Sequence, residues 1–144
     1  MAPEYISTGR ASKESDVYSF GVVALEIATG RNAVGSVQQK AEMSLVQWVW
    51  ELYGEGKLKL AIDERLQSDF DQKQVECLMI VGLWCAHPDH NLRPSIRQAI
   101  QVLNFEMQLP DLPTKIPVPI YHAPPPSVKS VEPEITYSSV QAGR

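Results

Sequence analysis

Cysteine and histidine side chains cluster between positions 85 and 90, a composition that raises the question of a zinc site. Cys85, His87 and His90 carry the sulfur and nitrogen atoms that zinc prefers. Pro88 breaks the helix between the two histidines, and the sequence offers no second close Cys or His pair to complete a tetrahedral set. We therefore predict no metal ligand in this chain.

Two glycines with G-x-G spacing raise the question of a phosphate-binding loop. Gly54 and Gly56 have this spacing, but position 59, where a third glycine is required, is Lys59. No strand pattern precedes them, although a dinucleotide-binding loop follows a strand. These glycines fit the end of a helix better, and we predict no cofactor-binding residue.

Two short segments imitate motifs of phosphoryl transfer. Residues 87–89 read His-Pro-Asp, but position 94, where a metal-binding asparagine should follow, is Pro94. Residues 69–71 read Asp-Phe-Asp, and Asp71 is better explained as a helix cap. We predict no catalytic residue in either segment.

Bulk composition excludes several classes of protein. The chain has 144 residues, 44% of them apolar, with a net charge of −4 and a pI near 5.3. This acidic balance argues against a nucleic-acid partner. The longest apolar run, residues 20–28, contains Glu26 and is far shorter than the roughly 20 residues needed to span a bilayer, so no direct membrane insertion is expected.

The two cysteines place the chain in a reducing compartment. Cys77 and Cys85 lie on one predicted helix at a separation of about 12 Å, which is too far for a disulfide. We read them as reduced, buried thiols of a cytoplasmic protein.

The first predicted helix of the chain is unusually apolar. Ser12 caps a helix predicted over Lys13 to Thr29, with Gly30 as its left-handed stop. Its second half leaves no wide polar face, a pattern typical of a central helix enclosed by protein.

Capping signatures begin three more helices: Ser44 with Gln47, Asp71 with Gln74, and Ser95 with Gln98. They are predicted to end at Gly54 or Gly56, before Pro88 and before Pro110, and a polar loop is expected over residues 31–42. No strand-like alternation competes, so the fold class is all-α. Trp48, Trp50 and Trp84 are assigned to the core rather than to a ligand site.

The last 35 residues differ in composition from the rest. Eight of the eleven prolines lie in residues 110–144, which we predict to be an extended, mostly disordered tail following a packed part over residues 1–109. The run Pro124 to Pro126 fits a plain linker better than a ligand for a polyproline-binding groove. Phosphorylation of the tail hydroxyls stays a hypothesis.

Three motifs in order carry a family resemblance. Ala2-Pro3-Glu4, then "SDVYSFGVVALEIATGR", then Arg93-Pro94-Ser95 resemble the second half of the large lobe of a eukaryotic protein kinase. Within that family the chain is similar to plant receptor-like serine/threonine kinases, especially those with a legume-type lectin domain. The resemblance covers residues 1 to about 109 and implies a partial large lobe.

The resemblance implies roles for three residues. Glu4 and Arg93 should form a structural ion pair between the end of the activation segment and the last helix. Asp16 should support the catalytic loop by accepting hydrogen bonds from its backbone. Without the motifs, Glu4 and Asp16 would be explained equally well as solvated acids in the first turns of helices.

The resemblance also implies what the chain does. It lacks the glycine loop, the strand lysine, the catalytic loop and the metal-binding Asp-Phe-Gly, so we expect a truncated kinase that supplies scaffold only. The intact parent would use ATP and Mg²⁺ on the cytoplasmic side of the plasma membrane. The expected partner is protein: the remainder of the kinase, or a kinase partner. A stand-alone helical interaction module is the alternative, and in either case we expect the central helix to expose apolar surface.

Overall fold

The fold of the chain is all-helical wherever it is described. A computed structural model describes residues 2–32, 38–66 and 71–117, and none of these residues lies in a strand. This confirms the all-α prediction. The α-helices are α1 (Pro3–Thr8), α2 (Lys13–Thr29), α3 (Gln38–Gly54), α4 (Gln72–Cys85) and α5 (Ile96–Leu103), with short 3₁₀ turns at Leu58–Ala61, Glu64–Leu66 and His90–Leu92.

Helix α2 has the predicted bounds because both of its ends are locally encoded. The Ser12 hydroxyl accepts a hydrogen bond from the Ser15 N–H at 3.1 Å, and the Ser15 hydroxyl accepts one from the Ser12 N–H at 2.8 Å. Gly30 ends the helix with a φ of 69°, a conformation that glycine adopts without steric cost.

Helices α2 and α4 pack against each other more extensively than any other helix pair in the described part of the chain. A Cβ placed on Gly21 of α2 would lie 2.6 Å from the Gly82 carbonyl oxygen and 2.8 Å from the Cys85 Cβ. The two helices therefore approach more closely here than any larger residue would allow. This crossing lies between the two buried clusters, one around Leu25, Met79 and Trp50 and the other around Val81 and Val102.

One side of α2 remains open in the described part of the chain. Val23 is 49% exposed and Ile27 is 61% exposed, although Leu25 between them and Ala28 after them are fully buried. The expectation that α2 exposes apolar surface is met at these two residues.

Two helix bounds differ from the predicted ones. Helix α3 begins at Gln38, so Ser44 lies within it rather than at its start, because the preceding "QQKAEM" consists of good helix formers. Residues 33–37 of the predicted loop lie outside the described residues. Helix α5 begins after Ser95 as predicted but ends at Leu103, since Phe105 has a left-handed φ of 61°. Its Ile96 and Ile100 are half-exposed.

The described start of the predicted tail packs against the helices. Leu112 is buried and Ile116 is half-buried against the larger cluster, while residues 110–117 have no regular secondary structure. Residues 118–144 lie outside the described part, so the division into residues 1–109 and 110–144 stays a prediction.

Both cysteines are free and buried. The Cys77 thiol contacts the Val102 carbonyl oxygen at 3.4 Å, and burial raises the pKa of Cys85 to about 12. Such thiols are almost entirely protonated near neutral pH.

Candidate functional site

The structure brings Glu4 and Arg93 together. Arg93 Nη1 donates to one carboxylate oxygen of Glu4 at 2.6 Å, and Nη2 donates to the other at 2.9 Å. The Arg93 side chain is fully buried and that of Glu4 is 22% exposed. Two parallel charge-assisted bonds fix both the distance and the relative orientation of the two side chains.

Arg93 also binds three backbone carbonyls. Its Nε donates to His87 O at 2.7 Å and its Nη1 to Glu14 O at 3.0 Å, with a longer contact from Nη2 to Pro88 O at 3.4 Å. Its guanidinium lies 4.9 Å from the centre of the Tyr18 ring, within cation–π range. One side chain therefore joins α1, the first turns of α2 and the loop after α4.

The electrostatics of Glu4 suit an ion pair. Partial burial opposes ionisation of the carboxyl, but the hydrogen bonds from Arg93 and the positive charge of Arg93 outweigh it, so the pKa of Glu4 lies below its ordinary value. The carboxylate stays charged throughout the neutral range.

His87 is a buried polar residue beside Arg93. In the sequence it stands out only as a candidate metal ligand and as part of the His-Pro-Asp segment. It is 3% exposed, and its Nδ1 accepts a hydrogen bond from the Asp89 N–H at 2.9 Å. Its ring meets the Trp50 ring edge-on with centroids 5.8 Å apart. Burial lowers the pKa of His87, with a further contribution from the charge of Arg93, while that of Asp89 opposes the shift. Burial therefore favours the neutral imidazole of His87.

Asp16 is not a partner in the ion pair, although Arg93 lines the same cleft. It is exposed in the first turns of α2 and lines an open cleft of about 850 Å³ together with Lys13, Val17 and Arg97. This position leaves its carboxylate accessible to another segment or protein. The predicted contact with a catalytic loop remains untested.

The other residues considered in the sequence analysis are the metal-ligand candidates, Asp71 and the three tryptophans. Among the described residues, no three His, Cys, Asp or Glu side chains form a group suited to a metal ion. Asp71 caps α4 by accepting from the Lys73 N–H at 2.9 Å, and residues 69 and 70 lie outside the described part. Trp50 is fully buried, and Trp48 and Trp84 are partly buried against the core.

Comparison with protein families identifies the arrangement of these helices. Residues 1–103 match the family profile described as "Protein tyrosine and serine/threonine kinase". The chain belongs to this protein kinase family. The kinase match contains the whole Glu4–Arg93 pair and all five α-helices.

Curated relatives narrow the relationship within the kinase family. The chain is 61% identical to the L-type lectin-domain containing receptor kinase IX.1 of Arabidopsis thaliana over all of its own length and 23% of the relative's. It is 51% identical to receptor kinase IX.2 with the same coverages, and 42% identical to the S.7 receptor kinase of Oryza sativa subsp. japonica over 91% of this chain and 18% of the relative. The chain thus spans about a fifth to a quarter of the length of these receptor kinases.

A solved structure shows the same fold. The pseudokinase domain of BIR2, an immune regulator of the RLK/Pelle family, matches 73% of this chain and 31% of its own, with a TM-score of 0.63 and 36% identity. The chain is therefore a partial kinase domain related to lectin receptor kinases. None of its described helices is long and apolar enough to cross a membrane.

Proposed function

We propose that this chain is the scaffold half of the large lobe of a receptor-like serine/threonine kinase. In this role it positions the segments that transfer the ATP γ-phosphate to protein hydroxyls, while contacting neither ATP nor Mg²⁺ itself. The observation that carries the proposal is the Arg93 network, which ties the Ala-Pro-Glu helix α1 to α2 and to the loop before α5.

Phosphoryl transfer depends on positioning, so a rigid support has a direct chemical value. The close α2–α4 crossing at Gly21 supplies that rigidity. Asp16 is exposed in the first turns of α2, and the proposal gives it the role of accepting hydrogen bonds from a catalytic loop. The partner in this proposal is the remainder of the kinase, on the cytoplasmic side of the plasma membrane.

A chimera tests the proposal. Residues 2–117 would replace the matching segment in the kinase domain of the Arabidopsis IX.1 relative, whose own autophosphorylation with Mg-ATP is measured as the reference. We expect the chimera to retain that activity and Asp16→Ala within it to reduce the activity without lowering the melting temperature. A chimera that melts cooperatively but transfers no phosphate would contradict the proposal.

The chain alone gives a second readout. Calorimetric titration of residues 1–144 with Mg-ATP should show no saturable heat, because the phosphate- and metal-binding groups of kinases are not in this sequence.

The exposure of Val23 and Ile27 favours a second candidate function, a non-catalytic helical module that binds a kinase or other protein partner through α2. A chain that is a stable, soluble monomer on its own would favour this candidate over the scaffold role.

A further inference from the structure

Residues 110–117, here called the strap, lie across the carboxyl-terminal end of α3. Leu112 is 7% exposed, and Ile116 packs against the same cluster. The strap follows α5 in sequence but contacts a helix about 60 residues earlier, as its bonds to Trp50 and Tyr53 show.

The strap is held through its backbone by aromatic side chains. Trp50 Nε1 donates to the Pro113 carbonyl at 2.8 Å. The Tyr53 hydroxyl accepts from the Leu112 N–H at 3.3 Å and donates to the Leu112 carbonyl at 3.5 Å. Among the described residues, the strap makes no backbone–backbone hydrogen bond, so side chains of α3 provide its polar attachment.

Gly54 provides the space for the strap. A Cβ on Gly54 would overlap the Thr114 carbonyl group. Gly54 ends α3 and is not among the glycines with positive φ, so close approach of the strap, rather than backbone conformation, explains the glycine.

This combination is a built recognition site for an extended peptide. The Trp50 N–H binds one carbonyl of the strap, and the Tyr53 hydroxyl binds both backbone groups of Leu112. The Leu112 side chain is buried in the larger core cluster, and Gly54 leaves room for the main chain. Pro110, Pro113 and Pro117 restrict the φ angles of the strap, which lowers the entropy lost when it binds. Aromatic grooves that bind proline-containing peptides use the same physical features.

We propose that Trp50, Tyr53 and Gly54 form a peptide-binding groove on α3 whose resident occupant is the strap of the same chain. The strap detaches and rebinds as a unit while the helices stay folded. Its attachment depends on a few side-chain contacts, each of which contributes modestly and breaks independently of the helical hydrogen bonds.

Trypsin cleavage of the full chain after Lys115, an exposed residue of the strap, measures detachment. Gly54→Ala should speed this cleavage about tenfold or more, because the new methyl group overpacks the site, while the better helix propensity of alanine protects α3. Gln47→Ala, an exposed change on the same helix, is the matched control and should leave the rate unchanged. Equal rates in the two variants would overturn the proposal.

A second variant removes the indole contact together with part of the buried ring of Trp50. Trp50→Phe keeps an aromatic ring but removes the N–H donor, and it should speed cleavage roughly three- to tenfold. Trp48→Phe, which alters the tryptophan beneath Arg31, should have no such effect. Cleavage that slows as protein concentration rises would show that the strap of a second copy fills the groove, and it would overturn the intramolecular assignment.

Binding in trans completes the test. In full-length Leu112→Asp the strap should be detached, which moves the indole N–H resonance of Trp50 in ¹⁵N-labelled protein. A synthetic peptide with the sequence of residues 108–118 should return that resonance saturably toward its original position. The double variant Leu112→Asp/Gly54→Ala should not respond. Failure of the peptide to shift the resonance in the single variant would overturn the groove as a peptide site.

Discussion

Arg93 donates hydrogen bonds to both carboxylate oxygens of Glu4 across 89 positions of sequence. These bonds have the largest sequence separation of the described side-chain hydrogen bonds, and they bring α1 against the segment that opens α5. Since the same guanidinium also binds the Glu14 and His87 carbonyls, the geometry of several segments depends on one side chain.

Glu4→Gln tests the energetic weight of this pair. The variant leaves the buried cation of Arg93 without its counter-charge, and we expect the free energy of unfolding to fall by about 3 kcal/mol, measured by urea denaturation. Lys57→Gln, which breaks the exposed pair of Lys57 with Glu55, is the control and should change nothing measurable. An unaltered midpoint for Glu4→Gln would show that the pair is energetically neutral.

His87 makes stability depend on pH. Burial holds its pKa below the ordinary histidine value, so below about pH 6.5 the unfolded chain takes up a proton that the folded chain resists. Stability is therefore fully present above that pH and decreases as the pH falls towards the lower pKa of the folded state. The Glu4 contribution has the same sign but is lost at more acidic pH.

His87→Asn isolates the imidazole contribution, because it removes the titrating ring but keeps an acceptor near the Asp89 N–H. Urea titrations between about pH 5 and 7 should give a flatter stability profile than for the original chain. His90→Asn, at an exposed neighbouring position, is the control for removing a histidine from this segment. Identical slopes for all three proteins would exclude His87 as the source.

Gly21→Ala tests the α2–α4 crossing. Alanine favours the helix by about 1 kcal/mol, but its Cβ has contacts below 3 Å, so we expect a net loss of roughly 1–3 kcal/mol in urea denaturation. Ser19→Ala, an exposed change on the same helix, should differ little from the original chain. A more stable Gly21→Ala protein would mean that the two helices separate readily.

The open side of α2 should cause self-association of the isolated chain. Val23→Glu with Ile27→Lys replaces two exposed apolar residues and adds an i,i+4 ion pair that favours the helix. Light scattering after size-exclusion chromatography should show a shift towards monomer. Leu60→Lys, at another exposed apolar position, should not produce that shift. If the original chain is already a monomer with a sharp thermal transition, the expectation is wrong.

Local signals explain what could be predicted from sequence. The caps at Ser12, Asp71 and Ser95 lie within a few residues of the groups that they bind, so the starts of α2, α4 and α5 were readable. Helix α3 starts earlier than predicted because the residues before the cap-like Ser44 also have high helix propensity. Helix α5 ends earlier than predicted because Phe105 adopts a left-handed conformation, which no glycine or proline in the sequence indicates.

Of the long-range contacts, the family resemblance predicted the Glu4–Arg93 pair, and the sequence did not predict the contact between Trp50 and Pro113. Nothing local to Glu4 indicates Arg93, and the resemblance alone placed them together. The contact between Trp50 and Pro113 spans 63 positions and was not expected, because proline content at position 110 and beyond suggested a chain without tertiary contacts. The sequence signals for this contact were the aromatic donors Trp50 and Tyr53 and the helix-ending Gly54 on α3. Nothing in the sequence indicated which segment they would bind.

The two buried cysteines give the chain an internal reporter. With one thiol against Val102 and the other shifted to a pKa of about 12, a water-soluble disulfide reagent should find almost no thiolate in the native state. The rate at which the reagent reacts therefore measures how often the α2–α4–α5 core opens and exposes the thiols. A cysteine introduced on an exposed loop would also be the dominant attachment point for a fluorophore or spin label, with no need to remove the natural ones.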